Sequence, residues 1–145
     1  MKFALFIILL LCAQTGLACP YLYGTWKSDM ADSYSFASAN PKVTKNQLDF
    51  VKYAFGHMKL TFSEKSMLVH DSGTVDVIIE GKSYPFSFER SESEITYLEC
   101  NKDQIAVVYE YKGAKSTYYY TVVNENEYWV KLNSEIGREY FKRVQ

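Results

Sequence analysis

Residues 105–123 read IAVVYEYKGAKSTYYYTVV, and this stretch indicates the fold class of the chain. Its first half alternates, so that Ile105 and Val107 fall on one face of an extended strand and the residues between them on the other. Lys112 and Gly113 interrupt the run with residues that suit a tight turn, and a second apolar and aromatic run follows. Two such runs around a glycine-containing turn are typical of a β-hairpin.

The same two-residue period continues on both sides of this hairpin, with turn signals about every 8–12 residues. The predicted strands cover residues 21–28, 58–62, 67–70, 74–80, 84–89, 95–100, 105–111, 117–123, 128–132 and 138–144. Short turns make successive strands antiparallel neighbours, and closing the sheet removes its unpaired edges. We therefore predict a mainly β fold, an antiparallel up-and-down barrel of about eight to ten strands.

One segment after the first strand has the period of a helix. Thr44 is followed three residues later by Gln47, which is the spacing of a capping box, and apolar residues then recur at helical intervals. Gly56 can take the left-handed conformation that ends a helix. The sequence predicts one helix over residues 44–55, whereas residues 29–42 lack a clear period and are expected to form a loop or a frayed helical turn.

Residues 1–18 have the features of a secretory signal peptide. Lys2 supplies a positive charge, residues 3–13 are almost wholly apolar, and small residues precede position 19. The apolar run is about half of the ~20 residues that a membrane-spanning helix needs, which favours cleavage over an uncleaved anchor. We expect residues 19–145 to form one exported barrel domain, in the periplasm or cell envelope or secreted.

The mature chain has no basic surplus. Without Lys2 it carries 15 Lys and Arg against 17 Asp and Glu, a formal charge of −2. A nucleic-acid partner is therefore not expected, and neither is attraction to an anionic membrane. The tyrosines at 118–120 are better explained as aromatic cover on two strand faces than as a platform for stacking bases.

Cys19 and Cys100 are the cysteines that remain after loss of the signal. An oxidising compartment would allow a disulfide between them. Alternatively, Cys19 would be lipidated as the first mature residue of a bacterial lipoprotein, although Leu17 stands one position later than such signals place it. Both fates are open at this point, and only lipidation would attach the protein to a membrane.

Residues that serve in catalysis or metal binding occur here without a supporting pattern. His57 and His70 are the histidines of the chain, and neither has a second ligand at metal-binding spacing. No Gly-x-Ser-x-Gly motif and no glycine-rich phosphate loop is present. We therefore predict no catalytic residues, no metal and no cofactor, and a protein that is not an enzyme.

Two short motifs bracket the predicted barrel: GTWK at residues 24–27 in its first strand and REY at residues 138–140 in its last. In this pairing the chain resembles the calycin group, the lipocalins and fatty-acid-binding proteins, in which helical segments also follow the first strand. The resemblance implies that Arg138 and Tyr140 bind the carboxylate of a ligand inside the barrel. The Thr-Asp-Tyr motif of lipocalins is absent.

The resemblance also implies a structural role for Gly24 and Trp26, with Arg143 or Arg138 stacked on the indole ring. From the residues alone, the opposite orientation of the last strand stays open, with Phe141 pointing inward. The chain is similar, too, to small exported bacterial proteins of unassigned function that carry G-x-W-x-S-D early and R-E-Y-F-x-R-V at the end.

Two functional classes fit these features. The first is a carrier of a small hydrophobic or carboxylate-bearing ligand, held in a barrel with an apolar interior. The residues expected to face that interior include Met58, Leu60, Phe62, Tyr84, Phe86, Phe88, Ile105, Val107 and Tyr109. The alternative is a protein-binding envelope module, such as a hydrolase inhibitor that presents loops on a rigid frame, or a structural envelope protein.

Overall fold

Eight antiparallel strands close into a barrel in the computed structural model, which describes residues 17–144. In chain order the elements are β1 (Gly24–Asp29), α1 (Met30–Ser38), α2 (Lys45–Ala54), β2 (Lys59–Phe62), β3 (Ser66–Val69), β4 (Val75–Ile79), β5 (Lys82–Phe86), β6 (Ser91–Cys100), β7 (Gln104–Tyr111), β8 (Ala114–Asn124), β9 (Glu127–Lys131) and β10 (Arg138–Arg143). The barrel order is β1-β10-β9-β8-β7-β6-β3-β2, which confirms the predicted mainly β, up-and-down architecture.

The first and last strands meet where the barrel closes. Trp26 on β1 lies opposite Arg143 on β10 and, on its other side, opposite Leu60 on β2. The predicted signal peptide falls almost wholly on residues 1–16, outside the described residues. Within residues 17–144, no helix is both long enough and apolar enough to cross a bilayer.

Helix α2 forms where the sequence predicts a helix. The Thr44 hydroxyl accepts from the Gln47 amide and the Gln47 side chain accepts from the Thr44 amide, which completes the capping box. Gly56 follows the helix with a φ of +86°, in the left-handed region that suits glycine. These local signals are readable from sequence because both partners lie within one turn.

Helix α1 is a regular helix over most of residues 29–42, the segment expected to form a loop or a frayed helical turn. Asp29 caps it by accepting a hydrogen bond from the Asp32 amide at 2.8 Å. Its buried side chains are the small ones of Ser33 and Ala37, so the segment lacks the large apolar period that identifies a helix. Ser33 Oγ donates to the Asp29 carbonyl and accepts from the Tyr140 amide at 2.9 Å, which docks α1 on β10.

Strands β4 and β5 form a separate hairpin outside the barrel, because β3 pairs directly with β6. The expectation that Tyr84, Phe86 and Phe88 face the barrel interior is therefore wrong. Tyr84 is half-exposed, and Phe86 packs edge-to-face against Phe50 of α2. The hairpin and both helices share a second apolar cluster that includes Val51.

Candidate functional site

The end of the barrel at which β1 begins, here called the closed end, is filled by aromatic side chains. Trp26 is buried there and its Nε1 donates to the Leu22 carbonyl at 2.8 Å. The Arg143 guanidinium lies 4.2 Å from the indole centroid and donates to the carbonyls of Tyr23 and Tyr21, at 2.6 and 3.0 Å. The sequence analysis expected either Arg143 or Arg138 to stack on Trp26, and Arg143 is the one that does so.

Gly24 makes the Arg143 contact geometrically possible. Its φ is +113°, a conformation that side-chain-bearing residues rarely adopt. A Cβ at this position would lie 2.8 Å from Nη1 of Arg143. The backbone of the first strand therefore needs glycine for both its conformation and the space it leaves.

A disulfide joins Cys19 to Cys100, with the two Cα atoms 5.5 Å apart. Cys19 is fully buried, and the Leu22 amide donates to its carbonyl in a turn that covers the closed end. In this form the Cys19 Sγ is already bonded and is not available to a lipid. Of the disulfide and the lipidation considered for Cys19, the structure contains the disulfide.

Arg138 and Tyr140 lie on the outer face of β10, beneath α1. The Arg138 guanidinium stacks on the rings of Phe36 and Trp129, at 4.4 and 3.9 Å from their centroids. Phe141 points inward and is almost fully buried. Neither Arg138 nor Tyr140 reaches the barrel interior, so the position that the resemblance implied for them is not found, and their binding of a ligand stays an untested prediction.

A cavity of about 510 Å³ occupies the half of the barrel near α1 and α2. This volume falls within the range of about 300–1,000 Å³ that is usual for small-molecule sites. Most of its lining is apolar or aromatic: Met58, Leu60, Met67, Val69, Ser93, Tyr109, Tyr111, Ala114, Ser116, Tyr118, Tyr120, Val130, Leu132, Glu139 and Phe141. Three of these residues, Met58, Leu60 and Tyr109, were expected to face the interior from the strand period, which did not predict the empty volume between them.

The barrel wall has a gap between β8 and β9. Residues 114–118 of β8 pair with β7 but lie beyond the end of β9, because Val130 is opposite Tyr120 and β9 ends at Lys131. A groove of about 520 Å³ lies on the outside at this place. Ser116, Tyr118 and Val130 line both the groove and the cavity, so only these side chains are shared by the two spaces at the gap.

Glu139 is the carboxyl group in the cavity lining, and it is 8% exposed. Ser28 Oγ donates to Glu139 Oε1 at 2.6 Å and accepts from the Gly56 amide at 3.0 Å. Burial raises the pKa of Glu139 to about 7, although the Ser28 hydrogen bond partly opposes this. The sequence prediction missed Glu139. It could have been found from Phe141, because residues two apart on a strand lie on the same face and Phe141 was considered as an inward residue.

Two tyrosine hydroxyls add polar groups to the cavity. The hydroxyls of Tyr109 and Tyr120 hydrogen-bond to each other across β7 and β8. Burial raises the pKa of both phenols, so each remains protonated at neutral pH. The cavity therefore offers neutral hydroxyls and one carboxyl group, and no Lys, Arg or His belongs to its described lining.

The histidines lie apart from this cavity. His70 Nε2 is 2.8 Å from the Thr61 hydroxyl, and desolvation together with the charges of Lys59 and Arg90 lowers the His70 pKa. Over residues 17–144, no three His, Cys, Asp or Glu side chains come together as metal ligands would.

The eight-stranded closed antiparallel barrel, with helices inserted after its first strand, is compatible with a calycin-like fold. No protein-family model matches the chain, and no curated protein matches it significantly.

Proposed function

We propose that this protein is an exported, non-enzymatic carrier of a small hydrophobic ligand, built on a calycin-like barrel. The observation that carries the proposal is the apolar cavity of about 510 Å³ in one half of the barrel. A barrel packed only for stability would fill this space with side chains, because protein interiors approach the density of organic crystals. The closed end of the same barrel is filled in that way.

The gap between β8 and β9 supports the same function, because it gives a ligand a route into the cavity. Ser116 is small and lines both the inner cavity and the outer groove. Tyr118 stands at the same place and is half-exposed. Entry at this place would not require the pairing of β8 with β7 to break.

Export is supported by the Cys19–Cys100 disulfide, since structural disulfides are typical of oxidising compartments. We propose cleavage after Ala18, so that Cys19 becomes the first mature residue. Intact mass spectrometry of protein recovered from the cell envelope and medium tests this. A mass equal to residues 19–145 with an oxidised cysteine pair is expected, whereas an added diacylglycerol would show lipidation instead.

A neutral apolar ligand fits the lining better than a carboxylate. The residues that line the cavity include Glu139 and no cation, so an anionic ligand would meet a like charge. Arg138, the cation that the resemblance offered for this task, is stacked on Phe36 and Trp129 outside. The carrier proposal therefore favours the hydrophobic class over the carboxylate-bearing class.

The decisive experiment is a fluorescence titration with N-phenyl-1-naphthylamine, a neutral apolar probe, together with native mass spectrometry of the purified protein. Saturable binding with one probe per chain is expected. Ser93→Trp places a large ring in the cavity and should weaken binding by about tenfold or more, a change of ~1.4 kcal/mol. Ser87→Trp makes the same change on an exposed segment outside the barrel and should leave binding unaltered.

Equal probe binding by the wild type and Ser93→Trp would contradict the carrier proposal, as would an absence of any saturable binding. Circular dichroism of both tryptophan variants shows whether each is folded. Because the probe is apolar and uncharged, this experiment does not depend on the polar groups of the cavity.

A protein-binding envelope module is the second candidate, and it has its own support. Tyr111, Tyr118 and Tyr119 are each about half-exposed around the β7–β8 turn, and tyrosine is enriched at protein interfaces. The edge of β8 beyond the end of β9, residues 114–118, also offers backbone groups to an added strand. A saturable partner captured by the wild type and lost in Tyr119→Ser would support this function, and an envelope fraction that yields none would contradict it.

A further inference from the structure

Glu139 lines the cavity, and one of its two carboxylate oxygens makes no hydrogen bond to a described residue. Its Oε1 accepts from Ser28, whereas Oε2 has no hydrogen-bond partner within residues 17–144. The side chain is more than nine-tenths buried and lines an otherwise apolar space. A carboxyl group in such a place stabilises the fold poorly, since burial disfavours its charged form.

The position of this carboxyl group is fixed by the surrounding backbone. The Gly56 amide, just after α2, donates to Ser28 Oγ, and the same oxygen donates to Glu139 Oε1. This chain of two hydrogen bonds connects the end of α2, β1 and β10. The Ser28 hydrogen bond uses Oε1, and Oε2 of this cavity-lining residue has no hydrogen-bond partner among residues 17–144, so we infer that it can accept from a molecule in the cavity.

The nearest strand neighbours of Glu139 do not supply a compensating cation. Arg138 faces outward and is stacked between two aromatic rings. Lys142, also on β10, forms ion pairs outside the barrel with Asp29 and Asp32, at 3.0 and 2.6 Å. Over residues 17–144 the cavity lining also contains no Lys, Arg or His, so a ligand is the source of positive charge that we propose for this place.

Tyrosine rings make the rest of the cavity suitable for a cation. Tyr109, Tyr111, Tyr118 and Tyr120 contribute to its lining. The face of an aromatic ring attracts an ammonium group, most strongly where water is excluded. An apolar cavity with one carboxylate and several phenol rings matches a molecule that has an apolar body and one ammonium group.

We propose that the ligand of this cavity is a hydrophobic amine and that Glu139 Oε2 binds its ammonium group. This inference rests on the proposed carrier function and specifies the chemical class of its ligand. The ammonium group would donate to Oε2 in a charge-assisted hydrogen bond, and the apolar body would lie among Leu60, Val69 and Phe141.

A series of three ligands with the same chain length tests the proposal: decylamine, decanol and decanoate, each competing with N-phenyl-1-naphthylamine. The wild type should bind decylamine at least about tenfold more tightly than decanol, and decanoate most weakly. Glu139→Gln should remove the preference for the amine, so that decylamine and decanol bind this variant with similar affinity. Glu92→Gln is the matched control, because Glu92 precedes the cavity-lining Ser93 and faces outward from β6.

Decanol binding as tightly as decylamine to the wild type would overturn the proposal, even if Glu139→Gln failed to fold. A preference for decylamine that survives in folded Glu139→Gln would also overturn it. Glu139→Asp keeps the charge and should retain part of the preference. If neither the probe nor any ligand binds, the carrier function itself fails, and this outcome is distinct from the loss of amine selectivity alone.

Discussion

Glu139 shows at the scale of one residue how a site can cost stability. Its pKa is raised from the ordinary 4.5 to about 7 because the folded state buries the carboxyl group. Below pH 4.5 the group is protonated in both the folded and the unfolded chain. Between pH 4.5 and 7 the Glu139 carboxyl group is ionised in the unfolded chain but largely protonated in the folded chain. The free energy of unfolding therefore falls as the pH rises through this range, and it levels off above about pH 7.

The pH dependence of unfolding tests this at the residue scale. Wild-type protein should lose about 3 kcal/mol of stability between pH 4.5 and 8 through Glu139, as the difference between the two pKa values implies. Urea denaturation of Glu139→Gln over the same range should show a flatter profile and greater stability at pH 8. Parallel profiles for the two proteins would contradict the burial of an ionisable group at this position.

Tyr128 and Tyr97 form a matched pair of buried phenols. The Tyr128 hydroxyl has no hydrogen-bond partner among the described residues, whereas the Tyr97 hydroxyl donates to the Ser63 carbonyl at 2.8 Å. An unsatisfied buried polar group costs about 1–3 kcal/mol. Tyr128→Phe should therefore raise the free energy of unfolding by about 1 kcal/mol and Tyr97→Phe should lower it by a similar amount, both measured by urea denaturation. Equal effects would be contrary to this assignment.

Helix α1 shows at the scale of an element how a polar residue can dock a helix. Ser33 bridges the Asp29 carbonyl at the start of the helix and the Tyr140 amide on β10. Ser33→Ala leaves that amide without its partner and should cost about 1–3 kcal/mol of stability. Ser38→Ala is the control on the same helix, because its exposed hydroxyl donates to the Ser35 carbonyl within α1 itself. Similar losses in both variants, by thermal unfolding, would refute the docking role.

The two helices also explain which elements are readable from sequence. Helix α2 is predicted by the capping box of Thr44 and Gln47 and by Gly56, which are all local signals. Helix α1 is held by contacts to a strand more than a hundred residues away, and its buried residues are the small Ser33 and Ala37. The hairpin of β4 and β5 was recognised as strands, but its exclusion from the barrel depended on the pairing of β3 with β6.

The disulfide acts at the scale of the whole molecule. Cys19 and Cys100 are separated by 81 positions, so the bond ties the segment before β1 to the far end of β6 and restricts the unfolded chain strongly. Replacing both cysteines by alanine should cost about 2–5 kcal/mol. Differential scanning calorimetry should show a lower Tm for the double variant and for the reduced wild type.

The reducing agent supplies the control for this prediction. It should leave the Tm of the double alanine variant unchanged, because that protein has no bond to lose. A reduced wild type that unfolds at the same temperature as the oxidised form would show that the bond contributes little to stability.

The sequence by itself determined the mainly β fold, the antiparallel pairing of neighbouring strands and the position of α2. These follow from period, turn residues and local hydrogen bonds, which act over a few positions. The tertiary structure decided the direction of Arg138, the inward position of Glu139, the unfilled half of the barrel and the gap beside β8. Each depends on which strands pair and how far they run together, because register determines which of two faces a side chain occupies and only packed volumes show where space is left.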